Sequence, residues 1–177
     1  ARPLIEADPD LSRALLPLLD ARAMLYKTYR ELDRRVKQAA SHDAICLRFM
    51  AIPGVGPIAA LTFRAAVDDP ARFTSSRTVA AHFGLTPRRY QSGETDNPGR
   101  ISKAGDRDVR ATLYAAANAM MMRSVASSEI KSWGLRLMRR KGRRRAVVAV
   151  ARKLAVIMHR MWADNTEFRH RPLEAKL

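Results

Sequence analysis

Ser92 and Gly93 sit in a stretch that also holds Arg88, Arg89, Arg100, Lys103, Arg107 and Arg110. A hydroxyl that attacks phosphorus needs an accessible Oγ, cations against the non-bridging oxygens, and backbone that approaches the phosphate with no Cβ in the way. This stretch contains all three ingredients, so a phosphodiester is the natural target. Residue types alone do not select the serine, because Ser-Gly in a loop is most often a turn. Ser102 competes for the role; its position beside a helix start suits a cap or a phosphate contact better.

Two further clusters point to a polyanion. Residues 139–145 hold six cations in seven positions, Arg139, Arg140, Lys141, Arg143, Arg144 and Arg145, with no acid among them. A charge run is usually a solvated face, but one without an internal partner suits a nucleic-acid backbone. Upstream, Pro53-Gly54-Val55-Gly56 separates two apolar segments in the pattern of a helix-hairpin-helix. Gly54 and Gly56 would free backbone N–H groups at a helix N-terminus, where the dipole favours a phosphate without reading sequence. The plain alternative is a tight turn between packed helices.

Composition agrees. The 177 residues carry a formal net charge of +16, far beyond what solubility needs, so a polyanionic partner is the default expectation. Only 6% of residues are aromatic, which favours grip on phosphates over stacking of bases. The single cysteine, Cys46, excludes an internal disulfide framework and a cysteine-based zinc site, and fits a reducing cytosol. Its neighbours Ile45, Leu47 and Phe49 predict a buried, inert thiol. His42, His82, His159 and His170 have no metal-ligand spacing, and His82 is expected to pack or to contact phosphate. Asp106 and Asp108 fall in the first turn of a helix, where the macrodipole explains them without a metal. Arg or Lys interrupts every apolar stretch well short of the roughly twenty residues a membrane span needs, and no signal peptide is expected.

The elements that must position these groups read as helices, so the fold is expected to be mainly α. Leu11, Leu18, Leu25 and Leu32 recur every seven residues, accompanied by Leu15, Arg22, Tyr29 and Val36. This seam predicts a long helix over about 17–40, with Pro17 marking a kink or break before it. It would pack on its own domain or form a coiled coil. An apolar helix end, the glycine turn and a second helix over 58–67 follow. Thr74-Ser75-Ser76 caps a short helix that Gly84 terminates. Residues 85–101, with Pro87, Gly93, Pro98 and Gly99, read as an irregular loop, at most a short hairpin. Asp106 opens a helix whose core face is Val109, Leu113, Ala116, Ala117, Met120 and Met121. A helix over 129–140 ends at Gly142. The last, over about 144–163, is expected to bury Val147, Val150, Leu154, Ile157, Met158 and Met161 or Trp162.

Three motifs occur in order: Ile52-Pro53-Gly54-Val55-Gly56-Pro57, then Phe83-Gly84-Leu85-Thr86-Pro87, then Gln91-Ser92-Gly93 through Gly99-Arg100-Ile101-Ser102-Lys103-Ala104-Gly105-Asp106 to Arg110. Together they resemble the C-terminal transposase domain of the insertion-sequence 110/116/902 family. The resemblance covers residues 50 to about 115, and basic helices like the family's ending continue to about 169.

The resemblance implies that Ser92 attacks DNA and forms a covalent phosphoserine bond during strand cleavage and exchange of an insertion sequence. It also implies a structured bridge RNA that specifies target and donor, and homo-oligomers assembled through the N-terminal helix. Full-length members resemble a two-part machine in which an N-terminal RuvC-like nuclease domain holds Mg²⁺ on four acidic ligands. This chain matches the linker, residues 1–48, and the serine domain, residues 49–170, with a tail over 171–177. No cofactor is expected on this stretch. It is expected to bind nucleic acid without recombining it unaided, in a prokaryotic cytoplasm close to the nucleoid. Two other classes remain: a non-catalytic helix-hairpin-helix DNA-binding module, or a structural RNA-binding protein.

Overall fold

The computed structural model describes residues 2–92 and 95–170, with side chains for all of these except residues 2, 6 and 89–98. Helices dominate, as the periodicity predicts; the described residues form eight α-helices and one two-stranded sheet. The chain divides into two compact units, Ala1–Ala39 and Ala40–Leu177.

The first unit contains α1 (Arg2–Glu6) and most of α2 (Pro9–His42). Asp8 caps α2, its Oδ1 accepting from the Asp10 and Leu11 backbone N–H groups at 2.9 and 3.2 Å. The 34 residues of α2 span about 51 Å at 1.5 Å per residue. Contrary to the expected break, the helix continues through Pro17. Proline removes one backbone donor and crowds the carbonyl four residues back, and the hydrogen bonds on either side carry the helix past it. Arg35 pairs with Glu31, and Lys37 with Asp33 at 2.7 Å, each one turn apart. Leu18, Leu25, Tyr29 and Leu32 of the heptad seam are exposed.

The second unit is built around α8 (Arg143–Ala163), against which α3 (Ala44–Met50), α5 (Ser76–His82), α6 (Arg107–Met122) and α7 (Glu129–Lys141) pack. Helix α4 (Pro57–Val67) packs on α3 and α6. Capping side chains define the starts: Asp43 for α3, Ser75 for α5, Asp106 for α6 and Ser128 for α7. Phe49, Phe63 and Phe83 form the aromatic part of the core, Phe49 and Phe63 meeting edge to face at 5.5 Å. All six residues expected on the core face of α6 are buried. On α8, Val147, Val150, Leu154, Met158 and Met161 are buried, whereas Ile157 is only half-buried and lines a surface pocket. Cys46 is fully buried, and burial, reinforced by Asp43, pushes its thiol up to about 11.

Within residues 85–101, read as an irregular loop with at most a short hairpin, a β-hairpin forms. β1 (Pro87–Ser92) pairs antiparallel with β2 (Thr95–Ile101), with a register shift between Pro87 and Arg89. The alternation that announces a strand is missing because Pro98 and Gly99 interrupt it. Pairing here follows from how the two ends of the segment are tied together, described below, and not from propensity.

Candidate nucleic-acid interface

The two glycines of the first motif do different work. Gly54 has φ +89°, and a Cβ there would stand 2.6 Å from both the Ala116 carbonyl oxygen and the Met120 backbone nitrogen. Its lack of a side chain lets the turn between α3 and α4 lie directly on α6. Gly56 has extended backbone and caps α4 ahead of Pro57, and a Cβ there would meet nothing within 4 Å. Of the pair, only Gly56 leaves open space beside a helix start.

The second and third motifs are one structural unit. Gly84 has φ +66°, and a Cβ on it would lie 2.2 Å from the Ala104 carbonyl oxygen; Gly105 has φ +76°, and a Cβ would lie 2.0 Å from that of His82. Each glycine therefore admits the other's segment. Backbone hydrogen bonds close the seam, Ser102 N–H to Thr86 at 2.8 Å and Lys103 N–H to Gly84 at 3.1 Å. Arg110 seals it: Nη1 reaches the carbonyl oxygens of Phe83, Ala104, Gly105 and Asp106 at 2.9–3.3 Å. The guanidinium that the sequence offers to phosphate is thus engaged on backbone, holding the foot of the hairpin.

Around that foot, Arg88 donates from Nη2 to the Ser102 carbonyl at 3.2 Å, and Ser102 Oγ accepts from the Ala104 N–H at 3.4 Å. Lys103 takes a left-handed backbone, φ +56°, and is exposed, as are Arg100 and Arg107. Ser92 is the last residue of β1, with Thr95 as its Cα partner. The side chains of Ser92 and Arg89, and Gly93 as a whole, lie outside the described residues. His82 packs, its ring edge to face with Phe73 and Phe83 at 5.3 and 5.1 Å. Among the described residues no three His, Cys, Asp or Glu side chains come together as a metal site.

The run 139–145 forms the corner between α7 and α8, turned by Gly142 at φ +79°. All six cations are exposed, and none forms an ion pair among the described residues. Arg139, Arg140 and Lys141 occupy the last turn of α7, where the helix dipole welcomes them. Arg143, Arg144 and Arg145 occupy the first turn of α8, where it opposes them, with neither an acid nor a side-chain cap to compensate. An anion held there would satisfy both the arginines and the free N–H groups of the helix start. Arg143 also donates from Nη2 to Asn118 Oδ1 at 2.9 Å. The corner and the Gly54 turn therefore both meet α6 within residues 116–120.

The sequence reading passed over a second cationic group: Arg77 on α5 with Arg152 and Lys153 on α8, which line one pocket. Only the packing of α5 on α8 brings them together, so no spacing announces it.

Residues 46–132 match the family described as Transposase IS116/IS110/IS902. The chain is 30% identical over 93% of its length to a putative transposase of Sinorhizobium fredii, covering 44% of that protein. It is 36% identical over 75% of its length to the transposase for insertion sequence element IS1111A of Coxiella burnetii, covering 36% of it. It is 30% identical over 92% of its length to the transposase for insertion sequence element IS1328 of Yersinia enterocolitica, covering 49% of it. The chain thus spans about half the length, or less, of these curated relatives. With all three motifs inside the matched residues, and two of them interlocked in the fold, the chain belongs to the IS116/IS110/IS902 family of transposases.

Proposed function

We propose that this chain is the part of an insertion-sequence transposase that grips nucleic acid and supplies a serine nucleophile, Ser92. The observation that carries the reading is the α7–α8 corner, six exposed cations with no acid to neutralise them, in a chain of a transposase family. Cations without acidic partners bind phosphates and carry little sequence information. A structured guide RNA paired with DNA would supply the sequence recognition. Gly56, Arg88, Arg89, Arg100, Ser102, Lys103 and Arg107 would add phosphate contacts, and Arg110 would keep the hairpin foot in place.

In the proposed step the Ser92 Oγ–P bond forms as a P–O bond to a deoxyribose oxygen breaks. The serine proton leaves, and the released sugar oxygen ends as a hydroxyl. The position of Ser92 at the end of β1, beside Gly93 and on a hairpin flanked by Arg88 and Arg100, supports this role. The Mg²⁺ expected from the family resemblance belongs to a nuclease-like domain outside this stretch. The exposed leucine seam of α2 would join subunits, and a prokaryotic cytoplasm near the nucleoid is the proposed setting. Among the described residues no helix is long and apolar enough to cross a membrane.

The test is covalent trapping. Full-length protein incubated with substrate DNA and denatured should yield a DNA adduct that maps to Ser92, and Ser92→Ala should abolish it while retaining DNA binding. An adduct at another residue would overturn the assignment. Normal cellular transposition by Ser92→Ala would leave a non-catalytic DNA-binding module as the better reading.

A further inference from the structure

The pocket that Arg77, Arg152 and Lys153 line has a volume of about 480 Å³ and is completed by Ala80, Thr86, Val156 and Ile157. That size lies within the ~300–1,000 Å³ typical of small-molecule sites. Its lining is graded. On α8, Arg152 and Lys153 stand one turn before Val156 and Ile157, so cations and apolar side chains share one face about 5.4 Å apart along the axis. Arg152 is half-buried, yet neither its guanidinium nor that of Arg77 has a hydrogen bond or ion pair among the described residues. No acid lines the pocket.

The walls are also fixed in advance. His159 of α8 is 2% exposed, and its Nε2 lies 3.0 Å from the Pro70 carbonyl oxygen, which can only accept. Nε2 therefore carries the proton, and in the neutral ring Nδ1 accepts from the Ser76 hydroxyl at 3.0 Å. This rivet joins α8 to the residue directly before Arg77. The Lys153 ammonium rests 4.0 Å from the centroid of the Trp133 ring.

We propose that this pocket receives one unpaired nucleotide of the bound nucleic acid, its phosphate toward Arg77, Arg152 and Lys153 and its base against Val156 and Ile157. A nucleotide has the required grading, an anionic end and a flat, largely apolar body about one helical turn away. A base lifted from its stack is commonly held between apolar side chains. The pocket adjoins Thr86, the residue before β1, whereas Ser92 closes the far end of that strand. Six residues of strand place the two roughly 20 Å apart, about six base steps along a duplex. The pocket would therefore hold a nucleotide at a fixed distance from the one attacked. This deepens the nucleic-acid reading above and rests on it.

The experiment compares binding of the full chain to a labelled duplex carrying one unpaired adenine and to the same duplex fully paired. The wild type should favour the unpaired substrate roughly tenfold. Arg77→Ala, at an exposed position, and Arg152→Ala should each remove that preference while leaving affinity for the paired duplex within about twofold. Adenosine monophosphate should compete the preference away, and inorganic phosphate at equal concentration should not. Equal wild-type affinity for both duplexes would overturn the proposal. So would equal losses on both in the variants, which would make these residues plain backbone contacts. Competition by a polyglutamate peptide as effective as by the nucleotide would point to an acidic protein segment instead, and equal competition by phosphate to a simple anion site. If paired DNA still binds, only the pocket proposal falls; if neither duplex binds, the nucleic-acid reading falls with it.

Discussion

At Gly54 any side chain would run into the backbone of α6, and φ is +89° there. Gly54→Val should cost roughly 3 kcal/mol or more in a urea melt, because both the backbone conformation and the close approach are lost. Gly56→Val, where the space is open, should stay within about 1 kcal/mol. Weakened DNA binding by Gly56→Val with stability intact would identify the start of α4 as a phosphate contact; unchanged binding would leave it a plain turn. The Cys46 thiol makes a second prediction at this scale. Held up to about 11 chiefly by burial, it stays protonated at neutral pH. Iodoacetamide should scarcely label native protein near pH 8 and should label it readily once unfolded. Because the folded value lies above the unfolded one, near 9, this group's contribution to stability is complete below about pH 9. It is lost as pH rises toward 11, so a pH series of melts should decline through that window.

At the scale of elements, the α7–α8 corner concentrates charge where one helix end tolerates it and the other does not. Replacing Arg143, Arg144 and Arg145 together by Ala should reduce the salt dependence of DNA affinity by up to about three phosphate equivalents. It should also stabilise the free protein slightly, since three cations leave the positive end of α8. An unchanged salt slope would mean that the corner faces solvent. Most of these elements were legible in the sequence. Heptad and helical periods marked α2, α6 and α8, and Ser75, Asp106 and Gly142 marked boundaries. The continuity of α2 through Pro17 was hidden because a single missing donor does not outweigh the hydrogen bonds around it. A short hairpin was the most the sequence offered here; its full strands and their pairing were hidden because Gly84 and Gly105, twenty-one residues apart, form its clasp, and no local pattern reports a long-range contact. The same reason concealed Arg77, Arg152 and Lys153 as a group. Arg110 was legible as a cation near phosphate chemistry, but its engagement with four carbonyls could be seen only in three dimensions.

For the whole molecule, the first unit carries an apolar seam and the second a basic surface. Leu18 and Leu25 are 65% and 71% exposed, a costly state for a heptad pair unless another helix covers them. Leu18→Glu with Leu25→Glu should convert the assembly to monomer in sedimentation equilibrium, with helicity of the second unit retained; a monomeric wild type would reject the seam as an interface. Loss of self-association should weaken DNA binding further by removing the multivalent contribution. The glycine clasp has a consequence of another kind. Gly84 and Gly105 lock the two ends of the segment to each other, and Arg110 ties that clasp to α6. A side chain at either glycine would therefore part the strands from their footing and disturb the end of α5 at once, so hairpin and helices stand or fall together.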